Sequence, residues 1–155
     1  METIITYKIL RVKDTSFSIN EKVYNHSYTE EITQVRVNCE LKHNVKFNYI
    51  TFEIEPTYFY LHPDGAEDIF ASTVVSNVFE LSDVSQFVKD EELILPSHLL
   101  VTLLGISISH TRALFSRNME GTVYSRLILP LIDPMAFCRT IFPQMFELDT
   151  TEMEE

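Results

Sequence analysis

The stretch Pro96-Ser-His-Leu-Leu-Val-Thr-Leu-Leu-Gly-Ile-Ser-Ile-Ser-His-Thr-Arg-Ala-Leu-Phe-Ser-Arg-Asn-Met-Glu-Gly121, with Thr122-Val-Tyr-Ser-Arg-Leu-Ile-Leu129 and Asp133-Pro134 behind it, decides the fold. It predicts a long helix, a glycine break, a short strand and a closing helix through Phe142. Either Ser97 caps the long helix or Pro96 occupies its first turn. Leu99, Leu100, Leu103, Leu104, Ile106 and Ile108 then recur at near-helical spacing, and Ala113, Leu114 and Phe115 extend the run. A second stripe, mostly of small residues, takes in Thr102, Gly105, Ser109 and Ser116. Small side chains let another backbone approach, so this face suits either the chain's own sheet or a second subunit. Gly121 ends the helix, Thr122 to Leu129 reads as a strand, and Asp133-Pro134 restarts a helix by the cap-then-proline rule.

Upstream the pattern is that of strands. Ile4 to Val12 alternates, and Lys13 to Ser18 continues extended with Phe17 as a buried anchor. Asn20 to Glu31 is polar, lacks a period and reads as a crossing loop. Alternation returns with Val35, Val37, Cys39 and Leu41, and again with Ile50, Phe52 and Ile54. Pro56 places that strand near an edge or at a bulge. His62-Pro-Asp-Gly65 is the clearest turn, and Ile69 to Phe79 pairs back across it. The whole predicts an α+β domain over residues 1–147. Residues 148–155 form an acidic tail expected to fray.

The chain has 155 residues, 45% of them hydrophobic, and a net charge of −11. That argues against nucleic acid and against an anionic membrane surface as partners. The apolar run from Leu93 to Thr111 is interrupted by Pro96, His98, Ser107, Ser109 and His110, so a membrane span is not expected. No secretory signal is visible at the start, and Cys39 and Cys138 read as ordinary buried thiols. The expected compartment is a reducing cytoplasm. Five histidines never fall at metal-ligand spacing, and three glycines cannot build a phosphate-cradling loop. No metal, cofactor or catalytic constellation is expected, and the chain reads as a non-enzyme. Tyr58-Phe59-Tyr60, beside Pro56, suits either core packing or an aromatic surface for apolar peptide.

Several strings resemble the SecB family of protein-export chaperones. Lys13-Asp-Thr-Ser-Phe17 resembles the family's string at the end of its first strand. Ile106-Ser-Ile-Ser-His-Thr-Arg112 sits where the family opens the second half of its long helix. Gly121-Thr122 and Leu127-Ile-Leu-Pro-Leu-Ile-Asp133 resemble its Gly-hydrophobic-Pro and Leu-x-Leu-x-Pro passage, and Ala136-Phe137 its last helix. Ser109-His110 stands where the family has Pro-Tyr, and Asn77 where it has a glycine.

The resemblance implies a four-stranded antiparallel sheet with a long helix and a C-terminal helix packed on one face. It implies a homotetramer joined through the long helices, here by Thr102, Gly105, Ser109 and Ser116. It also implies an ATP-independent holdase, serving protein transport or a dedicated client, with unfolded or newly made polypeptides as partners. Phe17, Tyr58, Phe59, Tyr60, Leu127 and Leu129 are the residues expected to bind them. The alternative is a non-catalytic adaptor of the same fold that binds one specific protein. In the family, acidic residues on the exposed sheet face dock the basic tail of the export motor SecA. Asp14 matches one of these positions; Ser18 and Ser72 stand at the other two. SecA docking is therefore expected to be weak, with Glu53 and Glu55 as outward-facing acids on the neighbouring strand.

Overall fold

The computed structural model describes residues 5–24 and 32–146. Four strands, β1 (Tyr7–Ile19), β2 (Thr33–Asn44), β3 (Tyr49–Leu61) and β4 (Glu67–Leu81), form one antiparallel sheet in the order β1-β4-β3-β2. A small hairpin of β5 (Val88–Lys89) and β6 (Glu92–Leu93) leads into α1 (Ser97–Met119), and α2 (Pro134–Ile141) closes the described chain. The α+β architecture expected from the sequence is the one observed. β1 and β2 lie on opposite edges, so the chain between them crosses the whole sheet. Of that crossing, residues 25–31 lie outside the described residues, as do residues 1–4 and the acidic tail from 147.

Alternation explains β2 and β3. Val35, Val37, Cys39 and Leu41 pair in register with Tyr58, Pro56, Ile54 and Phe52, and directly opposed residues share a face. That face carries α1 and α2. Gln34, Arg36, Asn38, Glu40 and Lys42 point to the other, open face. Pro56 is not at an edge as the sequence suggested, for β3 lies between β4 and β2. Its missing N–H is tolerated because the paired positions toward β4 pass from Ile54–Val75 to Thr57–Ser72, leaving Pro56 out of that ladder.

The helix termini follow the capping rules with one exception. Asp133 caps α2, its Oδ1 accepting from the N–H groups of Met135 and Ala136, with Pro134 in the first turn. Gly121, at φ 78°, takes the left-handed position beyond the end of α1. At the start of α1 neither expected arrangement forms. Pro96 is the cap residue, no side chain caps, and only the Pro96 carbonyl engages, accepting from Leu100 N–H at 3.0 Å.

The strand expected over Thr122 to Leu129 does not form. Residues Gly121 to Arg126 make successive turns, and Leu127 to Ile132 run without a partner strand. Side chains satisfy this segment's carbonyls in place of a ladder. The Tyr58 hydroxyl donates to Ile128 O at 3.0 Å, and Arg112 donates from Nε to Leu129 O and from Nη2 to Pro130 O.

α1 is long and apolar enough to cross a membrane by length and composition, yet it lies across the sheet and splits the core in two. Leu99, Leu100, Leu103, Leu104 and Ile108 pack on Ile50, Phe52, Ile54, Phe79 and Leu81, with Cys138 and Phe142 of the α2 region. Phe115 and Met119 close on Tyr58, Tyr60, Phe70, Ala71, Tyr124 and Leu129. Both cysteines are unbridged. Burial pushes the Cys39 thiol up to about 12 and the Cys138 thiol to about 11, so both stay protonated at neutral pH.

The β5–β6 hairpin turns on Asp90 and Glu91, both at positive φ (51° and 68°). Such two-residue turns favour Asn-Gly or Asp-Gly, because a side chain is strained there. Glu91→Gly is therefore expected to stabilise the protein by about 0.5–1 kcal/mol, read from the urea midpoint. A lowered midpoint would show that the Glu91 side chain contributes more than the strain removes.

Candidate functional site

The aromatic run Tyr58-Phe59-Tyr60 belongs to the strand interior. Tyr58 and Tyr60 point to the helix-bearing face and are 4% and 5% exposed. Phe70 stacks on Tyr60 and on Tyr124, each with ring centroids 4.4 Å apart, and Tyr58 stacks on Phe115 at 5.2 Å. Burial raises the Tyr58 hydroxyl to about 12; burial and then the neighbouring Tyr60 raise that of Tyr124. Both therefore remain donors, Tyr58 to Ile128 O and Tyr124 to Asn20 O at 2.9 Å. Phe59 faces the open side beneath Arg36, whose guanidinium lies 4.8 Å from the ring centroid, and it too is buried. Leu129 points inward and Leu127 is half-buried. Of the residues expected to face a ligand, Tyr58, Tyr60 and Leu129 instead form the core under the second half of α1, and Phe59 is buried on the opposite face of the sheet.

Two of the expected contact residues keep surface. Phe17, expected as a buried anchor, is 40% exposed, since it stands on edge strand β1 opposite Thr73. Leu127 opens the unpaired segment, two of whose residues outside the expected contact set are strongly exposed. There Ile128 is 68% and Leu131 92% exposed, and Met135 follows at the start of α2. With Leu129 and Ile132 turned inward, a segment held by Arg112 and Tyr58 presents the apolar side chains of Ile128 and Leu131 to solvent.

The small-residue stripe divides. Thr102, Ser109 and Ser116 are exposed, and the hydroxyls of Thr102 and Ser109 return to the carbonyls of His98 and Gly105. Gly105 is different. A Cβ there would meet Pro134 Cγ at 3.3 Å, so its missing side chain admits α2 of the same chain.

Asp14 does not lie on the open face. It stands opposite Val75, a core residue, and accepts a hydrogen bond from Asn118 of α1 at 3.1 Å. Ser18 and Ser72 are directly opposed on the open face. Glu53 does face outward, where Lys42 holds it at 3.2 Å. His110 and Asn77, the two departures from the family pattern, meet: His110 Nδ1 lies 3.0 Å from Asn77 Oδ1, at a fully buried asparagine. Among the described residues no group of three or more His, Cys, Asp or Glu could hold a metal ion.

The structure overlays on that of a SecB-like chaperone of Mycobacterium tuberculosis, Rv1957, solved in complex with a ChAD peptide from the HigA1 antitoxin. The TM-score is 0.57 at 9% identity, over 81% of this chain and 90% of that one. The chain has a SecB-like fold. A protein of unknown function from Streptococcus agalactiae overlays with a TM-score of 0.34 at 16% identity, over 84% of this chain and 99% of that one. No protein-family model matches the chain, and no curated protein matches its sequence.

Proposed function

We propose that this protein is an ATP-independent chaperone that holds non-native polypeptide on the segment between α1 and α2. The observation that carries this reading is the exposure of Ile128 (68%) and Leu131 (92%) on a segment whose backbone Tyr58 and Arg112 already hold through its carbonyls. Fixing it beforehand lowers the ordering cost of a contact, and apolar side chains without geometric demands accept many sequences. The SecB-like fold supports the reading, as does the M. tuberculosis neighbour with its bound peptide. Phe17, exposed on the β1 edge, supplies a second contact, so that long unfolded chains bind better than short ones. The working unit is a homo-oligomer, most simply a tetramer, formed through the exposed Thr102, Ser109 and Ser116 face of α1, and its place is the cytoplasm. Asp14 is occupied by Asn118 and Ser18 and Ser72 carry no charge, so the protein serves a dedicated client rather than docking SecA through these positions.

The test is suppression of aggregation of several unrelated denatured proteins by wild type and by Ile128→Asp with Leu131→Asp. Both positions are solvent-exposed, so the double variant keeps its fold and its urea midpoint. Affinity for a carboxymethylated, permanently unfolded polypeptide is expected to fall about tenfold or more, since two apolar contacts become charges. Equal protection by both chains would remove the segment from the site. Protection of one client and no other would favour the adaptor.

A further inference from the structure

Among the described residues neither edge of the sheet has a partner strand, and the two edges are built differently. β1 is blunted. Register shifts interrupt it between Ile9 and Arg11 and between Asp14 and Ser16. Its open face, opposite Glu80, Val78, Ser76, Val74 and Ser72, carries Lys8, Arg11 and Lys13 and no carboxylate. Bulges and charge of one sign protect an edge strand from pairing. β2 has neither device. It runs from Thr33 to Asn44 in unbroken register on β3, without proline or glycine. Its open-face residues Gln34, Arg36, Asn38, Glu40 and Lys42 mix both signs of charge.

We infer that the outer edge of β2 pairs with β2 of a second copy of this chain, antiparallel and centred on Asn38, joining two four-stranded sheets into one. In this register Arg36 of each copy stands opposite Glu40 of the other. Asn38 meets itself, and a carboxamide both donates and accepts. On the inner face Val35 meets Leu41 and Val37 meets Cys39, all four half-buried in the single chain. Directly opposed pairs of these kinds stabilise an antiparallel seam. The neighbouring registers do worse. Centring on Arg36 or Glu40 opposes like charges, and centring on Cys39 sets Arg36 against Lys42. Centring on Val37 joins no opposite charges. The two ions are also available. The Glu40 side chain is 67% exposed, with Lys42 near it only at 3.8 Å. Arg36 holds Glu67 through two hydrogen bonds of 3.3 Å, and a guanidinium with five donors can take a second carboxylate.

Such a contact is isologous, so it closes on two copies and does not grow into a fibre. It is separate from the exposed face of α1, and a tetramer made of two-fold contacts needs two different ones. Tyr58, which holds Ile128, stands opposite Val35. Joining the β2 edges therefore sets the two apolar segments on one face of one sheet, where a long client spans both. That use of the seam rests on the chaperone reading; the pairing itself does not.

The experiment weighs full-length chains by light scattering at micromolar concentration. Arg36→Glu and Glu40→Arg, each alone, oppose like charges twice across the seam. Each is expected to weaken the contact about tenfold or more and so to halve the mass. Mixed in equal amounts, the two variants restore both ion pairs in a mixed assembly, and the mass returns. A misfolded chain could not be rescued in this way. One chain carrying both changes should pair with itself as wild type does. Ser109→Leu leaves the β2 contact intact, so failure of the α1 face does not alter the charge-exchange result. Aggregation assays on the same chains test the chaperone reading separately. A wild type of monomeric mass, single variants of wild-type mass, or a mixture that stays at half mass would each overturn the pairing.

Discussion

Phe70→Ala is expected to lower the unfolding free energy by about 3–5 kcal/mol, enough to leave a domain of ordinary stability largely unfolded. Phe70 is 1% exposed and stacks between Tyr60 and Tyr124 while also touching Tyr58. These rings join β3, β4 and the turn after α1, so truncation opens a cavity that none of three elements can collapse into. Tyr124 and Tyr58 also donate from this cluster to Asn20 O and Ile128 O. Loosening it therefore frees the crossing loop and the apolar segment together. Urea unfolding followed by tyrosine fluorescence would measure the loss. A change below about 1 kcal/mol would mean that the cluster repacks and is less rigid than its stacking distances imply.

The second large effect is at Gly105. Leucine there is expected to cost about 1–3 kcal/mol, because even its Cβ must sit 3.3 Å from Pro134 Cγ and the branched end has nowhere to go. The damage falls on the α1–α2 contact of one chain, so it appears as a lowered melting temperature in dilute solution. Ser109→Leu makes the complementary measurement. Ser109 is exposed, and the change should leave the stability of an isolated chain within about 0.5 kcal/mol. If the proposed assembly uses this face, Ser109→Leu lowers the mass seen by light scattering and Gly105→Leu lowers the melting point. A wild type that is monomeric at micromolar concentration would end the assembly proposal and leave the Gly105 prediction untouched.

Most of the strands and both helices were legible from local chemistry alone, and the four-stranded antiparallel sheet was what the resemblance to the SecB family implied. Alternation in Val35–Leu41 and Ile50–Ile54, the apolar run of α1, Gly121 beyond its end and Asp133-Pro134 before α2 each act within a few residues. The central strands, the long helix and the closing helix follow from them. The β5–β6 hairpin escaped because Asp90 and Glu91 take backbone conformations that other residues adopt more readily. Pro56 misled because its cost depends on which neighbour lacks a ladder bond, a matter of register.

Burial was decided only by the tertiary structure. Tyr58, Tyr60 and Leu129 carry the same apolar chemistry as Ile128 and Leu131; α1 covers the first three and nothing covers the other two. Thr122–Leu129 has the composition of a strand but pairs with neither edge of the sheet, and Tyr58 and Arg112 satisfy the carbonyls of Ile128, Leu129 and Pro130 instead. Gly105 and Pro134, Asp14 and Asn118, and Asn77 and His110 are each far apart in sequence. A sequence states what each such residue could satisfy, but the long-range contacts select its partner, because a buried polar group or a missing Cβ has meaning only against the atom that fills the space opposite it.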